Sequence, residues 1–344
     1  MPQSRSARSP ARPKRSSPRP AEAHPITETL ESRAARASRA LVLGIGGGGD
    51  VVGCLAVTRQ LEAMGLECEL GGVAWERFPV DPYPGPRSLA DIHGATPIGT
   101  AAALVDPAVG ATTPEGAHFC ESRLATHLGE RTVLIDVTGG PEGARAGIAD
   151  AAAELGCDLV VLTDIGGDAI ASGGESGLAS PLCDAVMIAA GATLAPELGA
   201  VLGVLGAGCD GELEPAEVLA RVACLARAGA WLGTAGVSPA AAAEIEAAAQ
   251  VAVTEASLLV ARCARGEYGS VEIRDGRRTV QAGPLGAVCF LFDLEDAMAE
   301  LPLARAVAGA SSIADAHHAL VELGIGTELG YERRRATGTP GGPE

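Results

Sequence analysis

The stretch LVLGIGGGGDVVGCLAVTRQLEAMG, residues 41–65, passes from an apolar run through four consecutive glycines to Asp50 and then into a helical pattern. A strand that ends in glycines and feeds a helix is the first half of a βαβ unit, and its turn lets a ligand approach bare backbone. The alternation recurs down the chain: the strand-like runs ECELGGVAW, TVLIDV, DLVVLTDI and AVLGVLGAG are interleaved with helix-like stretches over 142–155, 180–192 and 215–229. This pattern predicts the α/β class, a Rossmann-like, doubly wound, mainly parallel sheet covered by helices on both faces. Pro215 and Pro239 open Ala-rich helices behind the capping residues Glu214 and Ser238. Further on, YGSVEIRDGRRTVQAG reads as a hairpin around an Asp-Gly turn and AVCFLFDL as one more strand, placed at the C-terminal edge of the sheet. Residues 296–325 read as terminal helices.

The chain has 344 residues, 47% of them apolar, enough to bury a substantial core. Residues 1–40 differ, because MPQSRSARSPARPKRSSPRP is rich in Pro, Ser and Arg and offers too little apolar surface to offset its chain entropy. The expected organisation is a disordered basic tail over 1–39, a single α/β ligand-binding domain over 40–330 and a loose C-terminal tail over 331–344. Nine Lys or Arg face three acids in residues 1–40, so the remainder is more acidic still than the net charge of −17 for the whole chain. Such a body repels phosphate backbones, and the folded part is not expected to bind nucleic acid. No apolar run of about 18 residues lacks glycine or charge, and no signal-peptide core stands near residue 1, so no membrane association and a cytoplasmic location are expected. The nine cysteines are scattered without a CxxC pair, the pattern of buried reduced thiols rather than of a zinc knuckle. Nothing in the composition opposes a homo-oligomer.

Two absences narrow the chemistry. The only lysine is Lys14, so the body can form no lysine Schiff base and has no Walker lysine. Asparagine is missing altogether, which leaves amide contacts within the body to Gln60, Gln250, Gln281 or the backbone. Neither a G-x-S-x-G elbow nor an H-E-x-x-H pair occurs.

In an open parallel sheet, ligands bind outside the carboxyl ends of the strands. Four of those ends combine glycines with acids: GIGGGGD, DVTGGPEG, DIGGDAIASGGE and GAGCDGEL. The ligand-binding set is therefore Gly46, Gly47, Gly48 and Gly49, then Asp136, Gly139 and Gly140, then Gly166, Gly167 and Glu175, then Gly208, Gly211 and Glu212. Gly-Asp pairs also serve as plain turns and helix caps, one loop at a time. Carboxylates that converge repel unless a positive charge sits among them, and Asp50, Asp164, Asp168 and Asp210 are the metal-ligating candidates, with Mg²⁺ the cation such oxygens suit. Arg77 is the candidate clamp for an anion, and Asp81 lies in the same proline-rich segment, ERFPVDPYPGPRSLADIHGATPIGT, read as a lid or wall over the site. Arg77 could instead brace that loop by pairing with Glu76 or Asp81. Thr254 and Ser257 form a candidate polar wall or, alternatively, a helix cap, with Glu255 between them as a candidate general base. Asp50, Asp168 and Asp210 complete the candidate catalytic set.

Gly44, Gly46 and Gly49 also satisfy G-x-G-x-x-G. A dinucleotide is nonetheless disfavoured: Asp50 stands where the pyrophosphate would lie, and the next strand-end acid, Glu76, comes later than the spacing of about 20 residues typical of a ribose-binding acid. NAD is thus not the expected cofactor.

The blocks LGIGGGGDVVG, GGVAWERFPVDPYPGP, ESRLA, DIGGDAIASGGESGLASPLCDA, GAGCDGEL and TEAS, in that order over residues 40–293, resemble a family of archaeal and bacterial proteins known as domain of unknown function 1152. That resemblance implies an α/β, Rossmann-like fold and carries no activity with it. From the residues themselves, the expectation is an enzyme acting on a small phosphate- or carboxylate-bearing metabolite, a Mg-assisted lyase, cyclase or transferase. The alternatives are a non-catalytic metabolite or nucleotide sensor and an NAD-dependent oxidoreductase.

Overall fold

The computed structural model describes residues 28–338. Its strands are β1 (Arg39–Gly44), β2 (Glu67–Val73), β3 (Thr96–Ile98), β4 (Ala102–Val105), β5 (Thr132–Ile135), β6 (Leu159–Ile165), β7 (Val201–Leu205), β8 (Trp231–Gly236), β9 (Gly269–Ile273), β10 (Arg278–Ala282) and β11 (Val288–Asp293). The helices are α1 (Leu30–Ala34), α2 (Asp50–Gly53), α3 (Leu55–Ala63), α4 (Cys120–Leu128), α5 (Gly140–Leu155), α6 (Pro181–Leu198) and α7 (Pro215–Arg227). They continue with α8 (Pro239–Ala252), α9 (Glu255–Ala264), α10 (Leu294–Ala297), α11 (Pro302–Val307), α12 (Ile313–Glu322) and α13 (Glu328–Ala336).

Among the described residues, nine strands form one large, mostly parallel sheet in the order β3-β4-β5-β2-β1-β6-β7-β11-β8. The run β5-β2-β1-β6-β7 is parallel throughout. The chain builds outward from β1 through β2 to β5, then returns to the other flank of β1 to lay down β6 and β7. In open α/β sheets such a reversal of strand order, here at the carboxyl ends of β1 and β6, marks the edge where ligands are accepted.

Period-two alternation divides each central strand between two cores. Leu41 and Leu43 of β1 and Val160 and Leu162 of β6 face one side, where α5, α6, α11 and α12 pack. Ala40 and Val42 of β1 and Leu159 and Val161 of β6 face the other, against α3, α8 and α9. Helix α6 is apolar enough over 18 residues to cross a membrane by length and composition, but 72% of it is buried inside the fold. Lying between the sheet and α5, α11 and α12, it needs an apolar surface all round. All nine cysteines are free, and seven are buried.

Three sequence expectations need correction. The β9-β10 hairpin forms around its Asp-Gly turn, but as a separate two-stranded ribbon rather than as part of the sheet edge. β11 is not an edge strand either, since it runs antiparallel between β7 and β8. Its continuous apolar run suits an interior position, whereas β8, which buries only some of its residues, is the strand that tolerates an edge. Finally, parts of the spans 1–39 and 331–344 that composition assigns to loose tails are built into the fold. Residues 1–27 and 339–344 lie outside the described residues, but Leu30 and Ala34 are buried on α1, and Glu328, Leu329 and Glu332 are buried on α13.

Candidate functional site

The glycine loop after β1 is a tight turn rather than an open cradle. Gly47 and Gly48 take left-handed conformations, and the Gly48 amide donates to the Trp75 carbonyl at 3.0 Å. Asp50 begins α2 and turns its carboxylate back to accept the Gly46 N–H at 2.9 Å. Gly49 is required by what lies behind it: a Cβ there would stand 2.1 Å from Thr254 Oγ1. Ser257 donates to the Gly49 carbonyl at 2.9 Å. Thr254 and Ser257 therefore buttress the loop from α9, and Thr254 makes no side-chain capping bond.

Two more loops arrive from β6 and β7. Asp164 is the penultimate residue of β6, and Asp168 opens a 3-10 turn two glycines later. Asp210 and Glu212 follow β7. The loops are joined by the Gly208 amide, which donates to the Gly166 carbonyl at 2.6 Å. Gly166 has φ +137°, and a Cβ on it would stand 2.3 Å from Asp210 Cγ, so both conformation and space demand glycine.

The acids gather in two adjoining groups. One carboxylate oxygen each from Asp50, Asp164 and Asp184 lie within 4.8 Å of one another, as do oxygens of Asp168, Asp210 and Glu212. The groups interact, since charge on Asp210 raises Asp164 and charge on Asp184 raises Asp168. Burial first, and then the other acids, hold the carboxyls of Asp164, Asp168 and Asp184 well above the usual carboxylate range. Asp50 is pushed up to about 7, chiefly by burial, although its rim stays partly open to solvent. Asp210 also rises to about 7, through burial and the neighbouring Glu212. Asp164 Oδ2 and Asp184 Oδ1 accept no hydrogen bond from any described residue, although each residue is only 1% exposed.

Asp184 sits in the first turn of α6, whose N-terminus points positive partial charge at the acids. The Ser180 side chain makes no capping bond there. Its place is taken by Glu328 from α13, which accepts the N–H groups of Leu182 and Cys183 at 3.1 and 2.8 Å. Burial raises the Glu328 carboxyl, with Arg77 opposing.

Arg77 lies beside the glycine loop, where it donates to the Gly46 carbonyl and faces Glu328 Oε1 at 3.4 Å. Its guanidinium stacks 4.5 Å from the Trp75 ring centroid. The Trp75 indole donates to Glu332 at 3.1 Å, and Glu332 also accepts the Gly85 amide at 2.8 Å. Helix α13 thus fastens the proline-rich segment beside the glycine loop.

The remaining sequence candidates are engaged elsewhere. Asp81 pairs with Arg87 through two 2.8 Å bonds, bracing its own loop. Asp136 accepts the Leu89 and Thr138 amides at 2.9 and 2.8 Å and ties that loop to β5. Gly139 and Gly140 start α5, where a Cβ on Gly140 would press on the segment leading into α12. Glu175 closes a turn by accepting Ser172 and Gly173 amides at 2.8 and 2.9 Å. Glu255 accepts the Arg274 amide at 2.8 Å and anchors the β9-β10 turn. None of these carboxylates belongs to either acidic group among the described residues. Conversely, Asp184, Glu328, Glu332 and Arg278 were absent from the sequence set. An aspartate inside the apolar run PLCDAVMIAA was a readable signal, because a carboxylate on a helix buried all round requires a partner.

Fold and site together define a mixed α/β protein whose central strand ends enclose a strapped, carboxylate-lined centre. The chain belongs to the family described as protein of unknown function, DUF1152, which matches residues 41–336. No curated protein and no solved structure matches it.

Proposed function

We propose that this chain is an enzyme that holds a divalent cation, Mg²⁺ or a similar ion, between Asp50, Asp164 and Asp184 and uses it to bind and polarise a small anionic metabolite. The observation that carries this is the pair of buried carboxylate oxygens, Asp164 Oδ2 and Asp184 Oδ1, that lack any hydrogen-bond donor among the described residues. Unpaired buried carboxylates cost several kcal/mol unless protonated or matched by a cation. The third oxygen comes from Asp50. Three hard oxygens, one of them on the half-buried Asp50, suit Mg²⁺, which keeps waters or ligand oxygens in its remaining positions. A bound cation would supply Lewis-acid polarisation of a ligand oxygen. Asp210, pushed up to about 7, or Asp168, held well above the usual carboxylate range by burial, would exchange a proton with the ligand.

The strand order and the reversal between β1 and β6 support a Rossmann-like, doubly wound description. The glycine loop argues against direct dinucleotide binding: Asp50 occupies the Gly46 amide, Trp75 the Gly48 amide, and a pyrophosphate would meet the Asp50 carboxylate. A cation held by Asp50 would offset that repulsion. We extend the proposal to a single cytoplasmic ligand-binding domain working on small molecules, without nucleic-acid or membrane partners.

Thermal melts with and without MnCl₂, MgCl₂ and EDTA test the cation. Wild type gains several degrees with the metal and Asp184→Asn does not, following the mass-action stabilisation of any ligand of the native state. An equal gain in both proteins, or none in either, overturns the assignment. Once a ligand is found, Asp168→Ala separates enzyme from sensor, because an enzyme loses turnover while still binding.

A further inference from the structure

We infer that Arg278, carried on the β9-β10 hairpin, is the residue that grips the oxyanion of the ligand, a phosphate or carboxylate group, through its Nε–Nη2 edge. The inference rests on the proposed function for the existence of an anionic ligand and adds the side chain that recognises it.

The hairpin stands outside the main sheet, yet it delivers a cation to the acids. Strand alternation buries Arg278, Val280 and Ala282 on one face, and Arg278 is only 7% exposed. One end of its guanidinium is used structurally, with Nη1 donating to the Gly211 carbonyl at 2.7 Å. The other edge, Nε and Nη2, donates to no described residue. The closest paired carboxylate oxygen, Glu212 Oε1, is 3.9 Å from Nη2, beyond hydrogen-bond reach. Glu212 is itself committed to the Ala179 and Ser180 amides at 2.7 and 2.9 Å. That unused edge is the fork with which arginine takes two oxygens of one anion side by side.

The surroundings carry charge of both signs. A cavity of about 80 Å³ lies beside the hairpin, lined in part by Gly208, Gly211, Thr279 and Gln281 and by the acids Glu212, Glu214 and Glu217, and Arg278 itself is not part of its lining. Arg274 at the hairpin turn adds a second positive charge, felt by Asp210. Glu255 holds the Arg274 amide and keeps that turn in place. Arg77, the clamp expected from sequence, by contrast spends Nη2 on Gly46 and Glu328 and leaves only Nη1 buried without a partner among the described residues.

A merely charge-balancing Arg278 would be replaceable by lysine, whereas a bidentate grip would not. The full chain is therefore titrated calorimetrically with MnCl₂ alone, then with inorganic phosphate or with acetate at saturating Mn²⁺, as wild type, Arg278→Lys and Arg278→Gln. The expected result is that one anion binds wild type, about tenfold more weakly to Arg278→Lys and more weakly still to Arg278→Gln, while Mn²⁺ affinity without anion stays within a few-fold. If Arg278→Gln does not fold, Arg278→Lys with an unchanged melting temperature carries the comparison. Equal anion affinity in wild type and Arg278→Lys overturns the inference, as does Mn²⁺ binding with no anion binding, which leaves the cation assignment standing. Arg278-dependent anion binding without any Mn²⁺ binding supports the inference and sinks the cation. Binding of neither probe refutes both.

Discussion

Replacing Asp210 by asparagine in metal-free protein should stabilise it at alkaline pH and not at acid pH. The Asp210 carboxyl rises from an ordinary 3.8 to about 7 in the folded state, mainly through burial and the adjacent Glu212. The folded chain therefore holds this proton between roughly pH 4 and 7, where the unfolded chain releases it. Stability from this group is complete below about pH 4, declines as pH rises through that window, and is lost above about 7. At about 1.4 kcal/mol per pH unit, the full gap corresponds to about 4 kcal/mol. Relaxation of Glu212 and the two hairpin arginines should halve it, to about 2 kcal/mol. An amide keeps the shape and can still accept the Glu212 amide, now 3.2 Å from Asp210 Oδ1. Urea unfolding in EDTA should place Asp210→Asn about 2 kcal/mol above wild type at pH 8 and level with it at pH 4.5. A variant destabilised equally at both pH values would refute the link between crowded burial and stored proton.

Other substitutions test the scaffold. Glu328→Gln removes the charge facing Arg77 and weakens the cap on α6, and a loss of about 2–3 kcal/mol should appear as a lower melting temperature and faster proteolysis of the C-terminal segment. Gly166→Ala forces both a left-handed φ and a clash with Asp210, so a cost above about 2 kcal/mol or failure to fold is expected by chemical denaturation. Glu175→Ala should cost about 1 kcal/mol through its lost turn bonds, with calorimetric Mn²⁺ affinity unchanged, since it lies outside both acidic groups.

The parts of the site that sequence made legible are those tied to a strand end. Asp50, Asp164, Asp168 and Asp210 each follow or finish an apolar run beside glycine, and a parallel sheet has to deliver them to one rim. What stayed hidden depends on contacts far apart in the chain. Glu328 reaches the start of α6 across a separation of 145 residues, and no local pattern in TELGYERRRA foretells it beyond two acids spaced one helical turn apart. Strands β3, β4 and β8 are short or glycine-bearing and so weak as apolar runs, while β11 could be recognised as a strand but not placed, since periodicity says nothing of strand order. Asp81, Asp136, Glu175 and Glu255 show the opposite case, acids beside turns that bond the turn or its neighbour rather than joining either acidic group.

Crystals grown with Mn²⁺ and measured at a wavelength where the metal scatters anomalously put the central claim to its most direct test. The account predicts one strong peak coordinated by carboxylate oxygens of Asp50, Asp164 and Asp184 at about 2.0–2.3 Å, which vanishes in Asp184→Asn. Anomalous density elsewhere, or none with all three carboxyls protonated and bonded to one another, would contradict it.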